Sequence, residues 1–138
     1  MKNIFKITAM LIMSLSMSIA LAQDKEEISL KKLDRISKSV NTLKGKETIK
    51  VGEYIQVSED VHGSVGTTVS CYEQGDGLEL VRTAFEYEND SKSHLSGGDA
   101  GFKTFYFKAL KKGTYKIIVK KYFRGDLQSE YDIDITVE

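Results

Sequence analysis

From Thr48 onward the chain alternates apolar and polar residues. Ile49, Val51, Ile55 and Val57 are interleaved with Lys50, Gly52, Gln56 and Ser58; Val65, Val69 and Cys71 form a second set with Thr67; Leu78, Leu80 and Ala84 form a third. Residues 102–110, 114–123 and 131–137 continue the pattern with Phe, Tyr, Ile and Val at alternate positions. A period of two is that of a pleated strand with one face buried. The intervening stretches Gly75-Asp76-Gly77, residues 89–101, Lys111-Lys112-Gly113 and Gly125-Asp126 carry turn chemistry. Six strands with no helical pattern between them predict an all-β, antiparallel β-sandwich.

The same alternation places the loops. If consecutive strands run antiparallel, the connections at 60–67, 89–101 and 124–129 share one end of the sandwich, and those at 75–77 and 111–113 share the other. The second set is hairpin-tight. The first is longer, rich in Gly and varied in composition, which reads as a presented surface.

Upstream the pattern differs. Met1 to Ala22 has Lys2 and Lys6, an apolar run from Ile7 to Ile19, and the small-x-small ending Ala20-Leu21-Ala22. This is the layout of a cleaved secretory signal, and the run is short for a membrane span. Residues 24–46 are highly charged, with Leu33, Ile36, Val40 and Leu43 at helical spacing, while residues 39–43 equally suit a first edge strand. The domain boundary falls around residue 38.

Composition narrows the function. The 138 residues hold 20 basic and 20 acidic side chains, no Pro, no Trp, one Cys and two His. Removing residues 1–22, which contain two Lys and no acid, leaves 116 residues with 18 basic groups against 20 acidic ones. Such a balance gives no electrostatic basis for nucleic-acid binding. One Cys forms no internal disulfide and makes a structural zinc site unfavourable. Cys71 with His62 or His94 is a candidate nucleophile and base, but Cys71 has the strand parity of Val69 and points into the core as an inert thiol. A metal held by the two His with Asp60 or Asp99 lacks ligand spacing on any one element. Glu86, Glu88 and Asp90 alternate as on a solvated face, and Lys108, Lys111, Lys112, Lys116, Lys120 and Lys121 read as a solvated, edge-protecting basic face. Nothing in the pattern points to an enzyme or a cofactor.

Val51-Gly52-Glu53-Tyr54-Ile55-Gln56-Val57, followed by His62-Gly63-Ser64-Val65-Gly66-Thr67, resembles the chagasin family of papain-like cysteine protease inhibitors. In that family a Gly-acid pair opens the strand leading into a loop written Asn-Pro-Thr-Thr-Gly-aromatic; Ser64 falls on its first Thr and Gly66 on its Gly. Gly98-Asp99-Ala100-Gly101 before Phe105-Tyr106-Phe107 is similar to the Gly-x-Gly-Gly loop, Lys112-Gly113-Thr114-Tyr115 to the Gly-Thr hairpin, and Tyr122-Phe123-Arg124-Gly125-Asp126 to the loop Tyr-x-Arg-Pro-Trp. The family's Pro and Trp residues are missing here.

The resemblance implies an immunoglobulin-like sandwich over 46–138, preceded by a signal peptide at 1–22 and a charged segment or linker at 23–45. It also implies a secreted or periplasmic, reversible inhibitor whose three loops enter a protease cleft. Its protease-binding residues would be His62, Gly63, Ser64, Val65, Gly66, Thr67, Gly98, Asp99, Ala100, Gly101, Phe123, Arg124 and Gly125, on a chain that is monomeric when free and not inserted in a membrane. Two other readings stand beside it. One is an immunoglobulin-like surface module for a glycan or partner protein, marked by exposed aromatics on a sheet face; the other is an enzyme using Cys71.

Overall fold

The computed structural model describes residues 28–40, 45–88 and 100–138. In chain order it holds α1 (Leu30–Ile36), β1 (Ser37–Ser39), β2 (Lys46–Ile49), β3 (Tyr54–His62), β4 (Thr67–Gln74), β5 (Leu78–Tyr87), β6 (Ala100–Ala109), β7 (Gly113–Phe123) and β8 (Asp126–Val137), with a 3-10 turn at Gly63–Val65. The strands form two layers, β2-β8-β7-β4 and β1-β3-β6-β5, hydrogen-bonded into one folded-over sheet where His62 of β3 pairs with Thr67 of β4. This is the all-β, immunoglobulin-like sandwich expected, antiparallel except for the short β1–β3 and β2–β8 pairs.

Alternation builds the core. Ile55 and Val57 of β3 with Phe105 and Phe107 of β6 face Val69 and Cys71 of β4, Ile117 and Val119 of β7, and Ile133 and Ile135 of β8, all buried. Each fully buried aliphatic or Phe side chain stabilises the fold by about 1.5–3 kcal/mol. On β7 and β8 the intervening positions face water as an ion ladder, Lys116 with Asp132 and Asp134, and Lys120 with Glu130. At the end away from the long loops, Tyr115 packs on Gly77, where any side chain would collide with its ring, and its hydroxyl donates to the Lys112 carbonyl at 2.9 Å.

Two strand expectations need correction. The run 49–58 is two strands on opposite sheets, because Gly52 (φ +89) and a turn closed by Glu53 N–H to the Lys50 carbonyl at 3.0 Å redirect the chain; Val51 is left exposed. Val65 lies in the 3-10 turn rather than in β4.

The charged N-terminal stretch joins the β3-β6-β5 layer in two ways: α1 lies on its outer face beside Tyr106, and β1 adds to it in-plane alongside β3, with Val40 reaching the core. Leu33 is buried, the Tyr106 hydroxyl donates to Asp34, Arg82 donates to the Ile28 carbonyl at 3.1 Å, and the Val40 N–H donates to the Gln56 carbonyl at 3.0 Å. A seven-residue helix is too short to persist by itself, so packing holds it. Both alternatives for this stretch were thus partly realised, over adjacent residues. Leu43, Thr42 and the signal-like residues 1–22 lie outside the described residues. Among the described residues no helix is long and apolar enough to cross a membrane.

Candidate functional site

Strand register draws the loop roots into one row. Ala100 pairs with His62, His62 with Thr67, Thr67 with Phe123, and Phe123 with Asp126. The β3–β4, β5–β6 and β7–β8 connections therefore leave the sandwich side by side, as parity placed them.

The first loop begins where β3 ends at His62, half-buried on the row. Gly63, Ser64 and Val65 make one tight exposed turn, with Val65 43% accessible. Gly66 closes it at φ +87, its N–H donating to the Gly63 carbonyl at 2.9 Å. This conformation is favourable only to glycine. The third loop has two residues, Arg124 (φ +50) and Gly125 (φ +89), between the paired Phe123 and Asp126. Two successive positive φ values are those of a type I′ hairpin, whose twist matches its strands. Arg124 is the one non-glycine among the described residues with positive φ. Its guanidinium lies over the exposed Phe123 ring, 5.1 Å from the centroid. A register shift at Lys121/Tyr122, with Gln128 as the extra residue on β8, kinks the hairpin just below its tip.

The middle loop contributes less. Gly98, Asp99 and His94 lie outside the described residues. Ala100 and Gly101 are the first residues of β6; Gly101 is buried, and a Cβ there would collide with the Glu86 carbonyl and crowd the Phe85 ring. The absent side chain at Gly101 thus serves β5–β6 packing.

Beneath the loops the core ends in a polar layer that sequence reasoning missed. Glu59 is buried at an inner position of β3, accepts the Tyr131 hydroxyl and pairs with Lys121 at 2.5 Å; Lys121 also reaches Asp60 at 3.0 Å. Lys121 is not on the solvated basic face. It shares the inward parity of Ile117 and Val119, and bridges the two sheets under the first and third loops. Burial lowers its ammonium, but the hydrogen bonds to Glu59 and Asp60 outweigh this and leave it raised. Burial and then the Glu59 contact push the Tyr131 phenol up, so it stays a donor. A signal was available: an acid and a lysine on inner-face parity must be paired.

Cys71 is buried as expected, and burial pushes its thiol up to about 12, followed by the charges of Glu59 and Glu73. A protonated thiol with no access is not a nucleophile. Among the described residues no group of three or more His, Cys, Asp or Glu is placed to hold a metal.

Exposed aromatics collect at this end. Phe85, Tyr87, Phe102 and Phe123 lie within about two rungs of the loop row, whereas Tyr72 stands by itself on the β4-β7-β8 face beneath Lys120.

Two solved structures share this architecture. The cysteine protease inhibitor EhICP2 from Entamoeba histolytica superposes with a TM-score of 0.56 at 14% identity, over 76% of this chain and 91% of that one. Amebosin superposes with a TM-score of 0.50 at 16% identity, over 67% of this chain and 88% of that one. The fold is thus shared with chagasin-family inhibitors, as the loop motifs implied. No family model matches the chain, and no curated protein matches it.

Proposed function

We propose that this protein is a reversible inhibitor of papain-like cysteine proteases, acting as a monomer that presents the Gly63–Val65 turn and the Arg124-Gly125 hairpin to the active-site cleft. The observation that carries the reading is the hydrogen-bonded row from Ala100 through His62, Thr67 and Phe123 to Asp126, which fixes the loop roots side by side on a rigid sandwich. Fixed loops lose little conformational entropy on association, so a small contact suffices for tight binding. The shared fold with a protein described as a cysteine protease inhibitor supports the same reading.

The residues divide the work by chemistry. The Gly63–Val65 turn is thin enough for a narrow cleft, with Val65 as its apolar contact and the Ser64 hydroxyl at its apex. Phe123 and Arg124, stacked as a unit, supply an aromatic and a guanidinium, the residue types that dominate interface energetics. In this reading inhibition is occupancy, with no bond attacked by the loop residues. The signal-like leader at residues 1–22 fits a secreted or periplasmic protein, where such proteases operate.

Titrating purified protein against papain-like and streptopain-like proteases tests the proposal. Stoichiometric, reversible loss of activity supports it, and absence of inhibition across the panel removes it. Among the described residues the exposed aromatics Phe85, Tyr87 and Phe123 gather at the loop end, while the outer sheet faces carry Phe102 and Tyr72 singly, one on each layer, which favours this reading over a glycan-binding sheet.

A further inference from the structure

The sandwich does not close along its whole side. Apart from the His62–Thr67 pair, β4 is hydrogen-bonded to β7 and β3 to β6, with β5 beyond β6, so the margins of β4 and β5 are not joined to each other by strand pairing. A groove of about 280 Å³ opens there, lined by Val61, Thr68, Val69, Phe85, Tyr87 and Lys103. Phe85 and Tyr87 are on the inner face of β5, paired with Lys103 and Gly101, the face on which Leu78 is buried at the far end. Here the same face is wet: Phe85 is 43% and Tyr87 42% accessible, held edge to face with centroids 4.9 Å apart. Inner-face aromatics normally fill the core. Two left open beside a groove mark a contact surface.

Lys103 gives the groove polarity. Its Nζ donates to the Val69 carbonyl at 3.3 Å and lies 5.3 Å from the Phe105 ring centroid, while its neighbour across the strand pair, Glu59, is engaged by Lys121 and Tyr131. The ammonium is thus satisfied by a neutral carbonyl and aromatic density, and charge complementarity calls for an acidic group on whatever enters. At about 280 Å³ the groove sits at the lower edge of the roughly 300–1,000 Å³ range of ligand pockets, the size for one large side chain. Gly63 and Thr67, the feet of the first loop, also border it, so a partner seated on the loop tip covers it.

Resting on the inhibitor reading, we infer that this groove is a further protease-binding subsite, which takes a single apolar side chain from the rim of the protease cleft, flanked there by a carboxylate that meets Lys103. The subsite sets which proteases are bound well, because the loop tips engage features near the catalytic centre while the groove engages the rim.

The test compares inhibition constants and dissociation rates of the full protein, Phe85→Ser with Tyr87→Ser, Thr68→Arg, Lys103→Met and the remote control Tyr72→Ser against papain and a panel of papain-like proteases. Thr68 is exposed and lies on the groove wall, so Thr68→Arg blocks the groove without emptying any packing. The expected result is at least tenfold weaker inhibition of some proteases by the double variant and by Thr68→Arg, mostly through faster dissociation. Lys103→Met is expected to lose about threefold at low salt and nothing at 0.5 M salt, and Tyr72→Ser to match the parent. Inhibition within twofold of the parent for both groove variants overturns the subsite and leaves the inhibitor reading standing. A parent that inhibits nothing overturns the inhibitor reading and this inference with it. A free protein that sediments as a dimer and is dispersed by Thr68→Arg also overturns the inference, because a second copy then fills the groove.

Discussion

The backbone N–H of Arg124 donates to the carbonyl of Gly66 at 2.8 Å, and a Cβ on Gly66 would stand 2.9 Å from Arg124 Cγ and 3.3 Å from its backbone nitrogen. The first and third loops are therefore one unit, in which the glycine of one is the floor on which the arginine of the other lies. Gly66→Ala both strains a positive φ and pushes Arg124 away. It is expected to lower stability by about 1–2 kcal/mol, in line with the left-handed penalty for a non-glycine residue. Inhibition should fall at least tenfold; urea unfolding and an inhibition titration on the same preparation check both.

Arg124 itself holds a positive φ at a turn position that suits Asn or Gly. Such strain persists where surrounding structure and function require the side chain. Arg124→Asn is expected to raise stability by up to about 1 kcal/mol while weakening protease inhibition. Thermal melts give the first effect and inhibition constants the second; a variant that is neither more stable nor a weaker inhibitor contradicts this account of the hairpin.

Lys121 governs the acid response of the loop end. Its hydrogen bond and then its charge hold the Asp60 carboxyl below the ordinary 3.8. A lowered carboxylate contributes stability in full above its unfolded value, and loses it as pH falls through the folded value. Lys121, raised above 10.5, contributes in full below its unfolded value and loses that as pH rises through the folded one. Stability to urea should therefore be level from about pH 5 to 9 and decline on the acid side below about pH 4. Lys121→Met leaves Glu59 buried without its cation, at an expected cost of about 3 kcal/mol, and flattens the acid limb that Asp60 supplies.

The Cys71 thiol, at about 12 and buried in the core between the two layers, should resist iodoacetamide at neutral pH for as long as the protein stays folded, and react stoichiometrically in denaturant. Mass spectrometry after timed alkylation gives the answer. Rapid native labelling would revive the enzyme reading.

Leu33 tests whether the N-terminal stretch belongs to the folded unit. It is 1% accessible under α1. Leu33→Ala is expected to cost about 2–4 kcal/mol, whereas Ile36→Ala on the exposed side of the same helix should change little.

Much of this was legible in the chain because two-residue periodicity is a direct record of which face each side chain buries. Ile117, Val119, Ile133 and Ile135 could be assigned to the core from alternation, and the sharing of one end by three loops followed from counting strands. What stayed hidden depended on contacts between sheets. Ile49, Val51, Ile55 and Val57 share one parity because the turn at Gly52 preserves it, so the switch of layers at Lys50 is marked only by Gly52 and by Glu53 on the apolar parity. In the sequence Lys121 groups with its charged neighbours, and an inward lysine becomes intelligible only with Glu59 opposite it. The helical spacing of Leu33 and Ile36 is visible, but Tyr106, whose hydroxyl ties Asp34 of the same helix to the sheet, lies 72 residues away.

The central claim is that the joined loop end occupies a cysteine protease cleft, and the most direct measurement is an active-site titration of papain-like enzymes with the purified protein and its Arg124→Ala variant. The expected result is a one-to-one endpoint with at least one enzyme, full recovery of intact inhibitor from the complex, and a marked loss of affinity in the variant. No inhibition by the parent across the panel, or cleavage of the Gly63–Val65 turn at the rate of an ordinary substrate, would contradict it.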